Sequence, residues 1–295
     1  MIEREKSIAE QQGLADGYAF TFGSTDPDLL IERIREGKAS HTYAGMRRIV
    51  LSSLGVEEKL NPEYIIITGC VRVFDSTQGL RNYFTLLDRL AVPYSLLPVS
   101  EYCSNLPSLH TASGEEAWQK AWRDAREVYE RNLEQAREAG AKHLVHFCSD
   151  GYAVARHLYD EFDVDLEPLF YLDILTDRIE GRALRLEPTV VGLFTGCWRE
   201  RRKVNRKLRV NHRGWRRMVE QIDGVEIREL PRELCCKEDA LALVEEAEKL
   251  GVDRIVTPCH GVGQARFRAL NRIPAMTISD LVLAALVDEA AESAE

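Results

Sequence analysis

The seven cysteines are the residues of this 295-residue chain whose chemistry first needs explaining. The composition, with 45% hydrophobic and 29% charged residues, is typical of a soluble globular protein, and the net charge of −9 disfavours nucleic-acid binding by the whole molecule. The N-terminal stretch MIEREKSIAE lacks the apolar core of a signal peptide, and charges interrupt the longest apolar run before it could span a bilayer. We therefore expect a cytoplasmic protein, where cysteines more often bind metals or do redox work than form disulfides.

The cysteines form two sets with related spacing. The second set is Cys197, Cys235, Cys236 and Cys259, and the first set is Cys70, Cys103 and Cys148. Neither set has the paired C-x-x-C knuckles of a zinc ribbon or the close spacing of a ferredoxin. Four soft thiolates favour an iron–sulfur cluster, with zinc as the second choice, whereas the alternative is that the cysteines are buried apolar side chains.

Two halves of the sequence repeat one order of strand and helix patterns. The tripeptide Thr68-Gly69-Cys70 returns as Thr195-Gly196-Cys197, and a long helical pattern precedes a strand pattern in each half. We therefore predict an α/β fold of two duplicated, Rossmann-like parallel-sheet repeats related by pseudo-symmetry, preceded by a helical N-terminal segment. The predicted boundaries are 1–62 for the helical segment, 63–185 for the first repeat and 186–295 for the second.

Right-handed crossovers between parallel strands would place every cysteine at, or just past, the C-terminal end of a strand. Loops and helix N-termini converge at that edge of an open α/β sheet, so ligands gather there. The sequence therefore predicts that each set of cysteines comes together in space.

Two stretches of the second half resemble the cysteine-rich repeat of the CCG-domain family, whose members include the cysteine-rich subunit of heterodisulfide reductases. They are LFTGCWRERRKVNRKLRVNHRGWRRMVEQIDGVEIRELPRELCC and LVEEAEKLGVDRIVTPCHGVGQARF. The resemblance covers about residues 63–295. The sequence departs from the family at Val262, where the last cysteine of the repeat is expected, and at Ser104 and Gly151 in the first repeat.

The resemblance implies an oxidoreductase subunit. Its function would be iron–sulfur electron transfer in a heterodisulfide reductase-like thiol/disulfide or sulfur redox complex, with flavoprotein and ferredoxin-like partner subunits and a sulfur or thiol substrate. The cluster, a [4Fe–4S] type, would be held by Cys197, Cys235, Cys236 and Cys259. Cys70, Cys103 and Cys148 would be a residual site that holds zinc, a second cluster or nothing. The alternatives are a non-catalytic zinc-binding scaffold and a cysteine-dependent α/β enzyme.

Three further features have both a functional and a structural interpretation. His260 could replace a thiolate ligand or carry a proton, although such a histidine is more often a hydrogen-bonded residue at a helix start. The run from Arg199 to Arg217 holds ten Arg and Lys residues, which indicate docking to an acidic partner or a solvated helical face. Gly261-Val262-Gly263 follows a predicted strand but does not complete a dinucleotide-binding fingerprint.

Overall fold

The computed structural model describes residues 44–56, 61–69, 76–97, 101, 109, 112–162, 164–196, 198–236, 238–260 and 262–287. In the first half of the chain these ranges contain α1 (Ala44–Ser53), β1 (Tyr64–Ile67), α2 (Thr77–Arg89), β2 (Tyr94–Leu96), α3 (Glu115–Glu138), β3 (His143–His146), α4 (Ser149–Glu161) and β4 (Glu167–Phe170). The second half contains α5 (Asp173–Arg178), β5 (Arg185–Leu193), α6 (Arg199–Val204), α7 (His212–Glu220), β6 (Asp223–Glu229), α8 (Ala240–Lys249), β7 (Arg254–Thr257), α9 (Val262–Leu270), β8 (Ala275–Thr277) and α10 (Ile278–Ala285).

The strands form two four-stranded sheets with the same internal order. The first sheet runs β2-β1-β3-β4 and the second runs β6-β5-β7-β8, so in each half the first strand lies between the second and the third. Parallel registers join β1 to β2 and β3, β5 to β6 and β7, and β7 to β8. The predicted α/β fold of two duplicated parallel-sheet repeats is confirmed.

The first compact unit contains residues 1–77, 93–169 and 201–208. Its core packs one face of α3 against β1, β3 and α4, through buried side chains such as Ile65, Leu133, Leu144 and Leu158. Val204, from the last turn of α6, belongs to the same core. Each such fully buried aliphatic side chain stabilises the fold by about 1.5–3 kcal/mol.

The helix α3 follows ordinary start and stop signals. Glu115 and Glu116 lie in its first turn and Arg137 in its last, which suits the helix dipole at both ends. Gly140 follows with a φ of 76°, a left-handed conformation that glycine adopts at helix C-termini without strain. Arg137 also donates to Asp165 at 2.7 Å, which ties the end of α3 to the stretch before β4.

The second compact unit contains residues 78–92, 170–200 and 209–295. It therefore includes α2, a helix that the sequence places in the first repeat. Tyr83 of α2 donates a hydrogen bond to the carbonyl of Tyr171, and Arg89 donates to the carbonyl of Leu286 at the end of α10. The second unit also includes α5, which likewise lies within the predicted first repeat, and residues 201–204 of α6 belong to the first unit. Each unit thus contains helical residues from the other predicted repeat.

Some predicted elements differ from the structure or lie outside its described part. The strand predicted up to Cys235-Cys236 ends as β6 at Glu229, so the cysteine pair lies in the turns beyond it. Of the N-terminal segment 1–62, α1 is described, and the helix predicted over residues 26–38 lies outside the described residues. The boundaries after residues 62 and 185 remain predictions.

A search of the described residues for a helix that is both long and apolar enough to cross a membrane finds none.

Gly224 provides a test of the packing between β5 and β6. Its φ is 85°, and a Cβ atom there would lie 2.2 Å from the carbonyl oxygen of Leu186. Gly181 has a similar φ of 77° but open space around it. Both Gly→Ala changes impose a left-handed backbone on alanine, which costs about 1–2 kcal/mol.

We expect Gly224→Ala to lower the free energy of unfolding more than Gly181→Ala does, because only the first adds a clash with backbone. Urea denaturation of the two variants and the wild type measures the difference. Equal losses of stability would show that β5 and β6 separate at little cost.

Candidate functional site

Cys259 lies at the carboxyl edge of the second sheet, two residues after the end of β7. Cys259 is half-buried. The Thr257 hydroxyl donates to the Cys259 carbonyl at 3.0 Å and accepts from the Cys259 N–H at 3.1 Å. This closed turn fixes the backbone at Cys259, so the direction in which its side chain leaves the sheet is set by β7.

Tyr171 is a fully buried phenol beside this turn. Its hydroxyl donates to the carbonyl of Pro258 at 2.7 Å. Burial raises the pKa of Tyr171 well above its usual range, and negative charge on the Cys259 sulfur raises this pKa further. Tyr171 therefore stays a neutral donor at physiological pH, and its hydroxyl is close enough to Cys259 to interact electrostatically with a thiolate there.

His260 is buried between Tyr171 and the start of α10. Its Nε2 lies 3.4 Å from the Ser279 hydroxyl, which is 3.0 Å from the Thr277 hydroxyl. The imidazole ring is tilted against the Tyr171 ring, with 5.3 Å between the centroids. A titratable side chain thus directly follows the thiol residue and connects it to a pair of buried hydroxyls.

The first turn of α10 is fixed by a capping box. The Thr277 hydroxyl accepts from the Asp280 N–H at 3.0 Å, and the Asp280 carboxylate accepts from the Thr277 N–H at 3.2 Å. Asn82 of α2 donates to the other oxygen of Asp280 at 2.7 Å. This arrangement positions Ser279, and through it the imidazole of His260.

Gly79 of α2 makes room for the imidazole. A Cβ atom on this glycine would lie 2.5 Å from Nδ1 of His260. The lack of a side chain at this position is therefore required by the placement of His260.

The other described cysteines of the second half do not join Cys259 in a metal site. Cys235 is 4% exposed, and its N–H donates to the Asp239 carboxylate in the turn before α8. Cys236 is half-buried and packs against the apolar core between α8 and the sheet. In the described part of the chain no three His, Cys, Asp or Glu side chains come together in a way that could hold a metal ion.

The predicted ligand set is therefore only partly visible. Cys197, Cys70 and Cys103 lie outside the described residues, and Cys148 is half-buried at the N-terminus of α4. The ligand assignments of both sets, the [4Fe–4S] cluster and the zinc alternative remain predictions. Because the described residues do not provide a cluster site, we derive no chemistry through such a group.

A buried carboxylate is the main polar feature at the edge of the first sheet. Glu101 accepts hydrogen bonds from the Thr68 N–H at 2.7 Å, from the Thr68 hydroxyl at 2.9 Å and from the Gly69 N–H at 2.6 Å. Glu101 is 4% exposed and Thr68 is fully buried. A turn directly after β1 thus binds a carboxylate that the chain itself supplies.

His146 of β3 is a second buried group in the first unit. Its Nε2 lies 3.3 Å from the Tyr129 hydroxyl, and its Nδ1 has no hydrogen-bond partner among the described residues. Burial lowers the pKa of His146 to about 3, so the imidazole is neutral at physiological pH. Tyr129, which is fully buried, has its pKa raised by the same cause.

Three of the ten basic residues between Arg199 and Arg217 form the following ion pairs within the chain. Arg201 contacts Asp150 at 2.7 Å, Lys207 contacts Glu161 at 2.6 Å, and Arg216 contacts Glu220 at 2.7 Å. These contacts favour the structural interpretation of the run over docking to an acidic partner.

Comparisons with known proteins identify no family for this chain. No protein-family model matches it, and no curated protein matches it. Solved structures with similarity to this chain include three with low TM-scores. They are a putative Asp/Glu racemase from Yersinia pestis (13% identical, TM-score 0.37, covering 75% of this chain and 96% of that one), an aspartate racemase homologue from Pyrococcus horikoshii OT3 (12%, 0.32, 75% and 96%) and a glutamate racemase from Aquifex pyrophilus (14%, 0.31, 75% and 81%). At these scores the similarity supports no functional argument for this chain.

The predicted membership of the heterodisulfide reductase-like, CCG-domain family is wrong. No model or curated member of that family matches, and no three His, Cys, Asp or Glu side chains of the described residues come together as a metal site. The iron–sulfur electron-transfer function in a sulfur redox complex is wrong for the same reasons. The structure also gives a physical reason why Cys235-Cys236 does not serve as the predicted ligand pair. The strand β6 ends before the pair, and Cys235 is buried. The partner subunits, which only this resemblance implied, remain without support.

Sequence reasoning found Cys259 and His260 but missed the groups around them. Tyr171, Ser279 and Gly79 carry no motif that marks them as neighbours of Cys259. Glu101 was likewise missed, although the repeated Thr-Gly dipeptide at both strand ends could have indicated that the two turns are equivalent.

Gly79→Ala tests the contact between α2 and His260. In a helix interior this change stabilises a protein by up to about 1 kcal/mol, but here the new Cβ collides with the imidazole. We expect a lower free energy of unfolding for Gly79→Ala alone. In a His260→Ala background the same change should raise it, and chemical denaturation of the four proteins measures both. A stabilising effect in both backgrounds would contradict the observed position of His260.

His146 predicts a pH dependence of stability. Since its folded pKa lies below the unfolded value, the unfolded chain takes up a proton first as the pH falls below 6.5. Protonation of His146 in the unfolded chain then lowers the free energy of unfolding by about 1.4 kcal/mol per pH unit. This decrease stops only near the folded pKa of His146, where the folded chain takes up the proton as well.

Urea titrations at a series of pH values give the free energy of unfolding as a function of pH. We expect its slope in acid to be smaller in His146→Gln than in the wild type, by the amount that corresponds to one proton. Tyr129→Phe, which keeps the imidazole, should retain the wild-type steepness. An unchanged slope in His146→Gln would show that His146 is not buried in its neutral form.

Proposed function

We propose that the chain is a thiol-dependent α/β enzyme that acts on a small molecule at the carboxyl edge of its second sheet, with Cys259 as the reactive group. The single observation that carries the proposal is a turn that holds a half-buried thiol residue and a buried imidazole, with a buried phenol bonded to its backbone. Cysteine reacts as the thiolate, both as a nucleophile and as a base, and such thiols are partly exposed.

The position of Cys259 supports this function. The carboxyl ends of parallel strands are where α/β proteins bind their ligands, and β7 is a central strand of its sheet. The hydrogen bonds with Thr257 fix the backbone of Cys259, from which the thiol extends. Productive contact with a bound substrate requires a reactive group that is fixed in this way.

The neighbouring side chains have separate roles. Tyr171 keeps its proton because of burial, so it is a hydrogen-bond donor whose hydroxyl stabilises the Pro258 carbonyl and the turn. His260, the residue next to the thiol, can accept or return a proton, and Ser279 holds its Nε2 side. Tyr171 therefore fixes the turn that carries Cys259, and His260 is the proposed proton carrier next to it.

Cys235 provides a comparison with Cys259 in the same half of the chain. Cys235 is nearly inaccessible, and its backbone N–H donates to Asp239, which is the arrangement of a structural cysteine. The cytoplasm is the proposed compartment, since a functional thiol stays reduced there.

Alkylation measures whether Cys259 is the reactive thiol. We expect iodoacetamide to modify Cys259 at least about tenfold faster than Cys235 in the folded protein, because attack requires an accessible thiolate. Peptide mapping by mass spectrometry at successive times gives both rates.

Two serine variants make the assignment specific. Cys259→Ser should remove the fast phase, whereas Cys235→Ser should leave it in place. If Cys259 is modified no faster than Cys235, or only after denaturation, the proposed function is refuted.

A further inference from the structure

The turn after β5 is the second copy of the turn that binds Glu101. Thr68-Gly69 follows β1 and Thr195-Gly196 follows β5, and the two strands hold the same place in their sheets. The glycines have nearly the same backbone conformation, with φ values of 91° and 86°. Both threonines are fully buried.

The first copy shows what this turn binds. Its three donors, two N–H groups and one hydroxyl, converge on a single carboxylate within 2.9 Å. Hydrogen bonds to a charged acceptor of this kind are stronger than those between neutral groups. A Thr-Gly turn at the end of a first strand is therefore a carboxylate-binding structure in this protein.

In the described part of the chain, the second copy has no carboxylate bound to its threonine. The Thr195 hydroxyl is fully buried and has no hydrogen-bond partner among the described residues. Of the described acidic side chains that follow in sequence, Glu229 pairs with Arg216, and Glu233 is exposed at the surface. A buried polar group without a partner is rare in folded proteins and calls for a ligand or another explanation.

A second buried polar group lies at the same edge. Gln264, in α9 shortly after Cys259, has its Nε2 buried and without a partner among the described residues. The N–H of Phe194 donates to the Val256 carbonyl, so the chain enters the Thr195 turn beside the end of β7. Both unpartnered groups thus come from segments that leave adjacent strands of one sheet.

Trp198 covers the turn. Its indole N–H donates to the Thr195 carbonyl at 3.0 Å, and a Cβ atom on Gly196 would lie 2.9 Å from the indole nitrogen. Trp198 itself has a φ of 55°, a strained value for a bulky residue. Because this side chain lies against Gly196, its fluorescence is a suitable probe for a ligand at the turn.

We propose that the Thr195-Gly196 turn binds the carboxylate group of a small-molecule ligand, as the Thr68-Gly69 turn binds Glu101. The inference rests on the proposed function, since it gives the substrate class of the Cys259 site as a small carboxylic acid. The bound oxygens accept from the N–H groups of Thr195 and Gly196 and from the Thr195 hydroxyl. The buried Nε2 of Gln264, on the segment after the adjacent strand, is the proposed further donor.

Acetate is the probe for the turn, with acetamide as its neutral counterpart. In titrations of the full chain labelled with ¹⁵N, at constant ionic strength, we expect acetate to shift the Gly196 amide signal saturably and to change the Trp198 fluorescence. Acetamide should do neither. Thr195→Val should weaken acetate binding about tenfold or more, because it removes a hydrogen bond to a charged group.

Thr189→Val is the matched control, since Thr189 is a buried threonine of β5, the strand that leads into the turn, and its hydroxyl donates to Asp253 instead. It should leave acetate binding unchanged. Stability gives an independent measure: Thr195→Val should have an equal or higher melting temperature than the wild type, whereas Thr68→Val should melt lower.

Glu101→Ala tests the premise that the turn itself recognises a carboxylate. Removing this side chain should open the first turn, so that acetate shifts the Gly69 amide and raises the melting temperature of the variant. Glu101→Gln serves if the alanine variant does not fold, and acetate should then compete with the amide. No effect of acetate at Gly69 would remove the basis of the inference.

The outcomes separate this inference from the proposed function. If Cys259 is alkylated rapidly but acetate does not bind at Gly196, or binds equally to Thr195→Val, the carboxylate subsite is refuted and the thiol function stands. If acetate binds as described but Cys259 is unreactive, the subsite stands and the proposed function is refuted.

Discussion

The candidate site depends on the contact between α2 and the edge of the second sheet. His260 can occupy its position only because Gly79 has no side chain, and α10 keeps its first turn partly because Asn82 holds Asp280. Tyr83 and Arg89, further along the same helix, bond to the carbonyls of Tyr171 and Leu286. A helix that precedes the site by well over a hundred residues in the chain therefore determines where the imidazole lies.

This dependence explains how much could be predicted from the sequence. Local patterns located the central strands, since β-branched runs before a Gly-Cys or a lone cysteine predict buried parallel strands, and the repeated Thr-Gly-Cys predicted the duplication. The same patterns contain no information about which sheet a helix packs against. The sequence therefore assigned α2 to the first repeat, whereas packing places it in the second unit.

The site was predicted less well because the cysteines of each half were expected to act together as ligands of one group. Leu230-Pro231 follows β6 directly, and proline cannot donate to a strand ladder, so the strand ends before it could carry Cys235 to the edge of the sheet. Cys259 does reach that edge, but its neighbours there are Tyr171, His260 and Ser279 instead of other described thiols. Such polar neighbours come from separate elements, and only the folded chain brings them together.

The helices that one half of the chain contributes to the other unit also limit where the chain can be divided. A duplication that simply joined two finished domains would leave each with its own helices, but here each unit is completed by a piece from the other half of the chain. A chain divided between the repeats would give two fragments that each lack part of a core. Neither half of the sequence therefore contains all the residues of one compact unit.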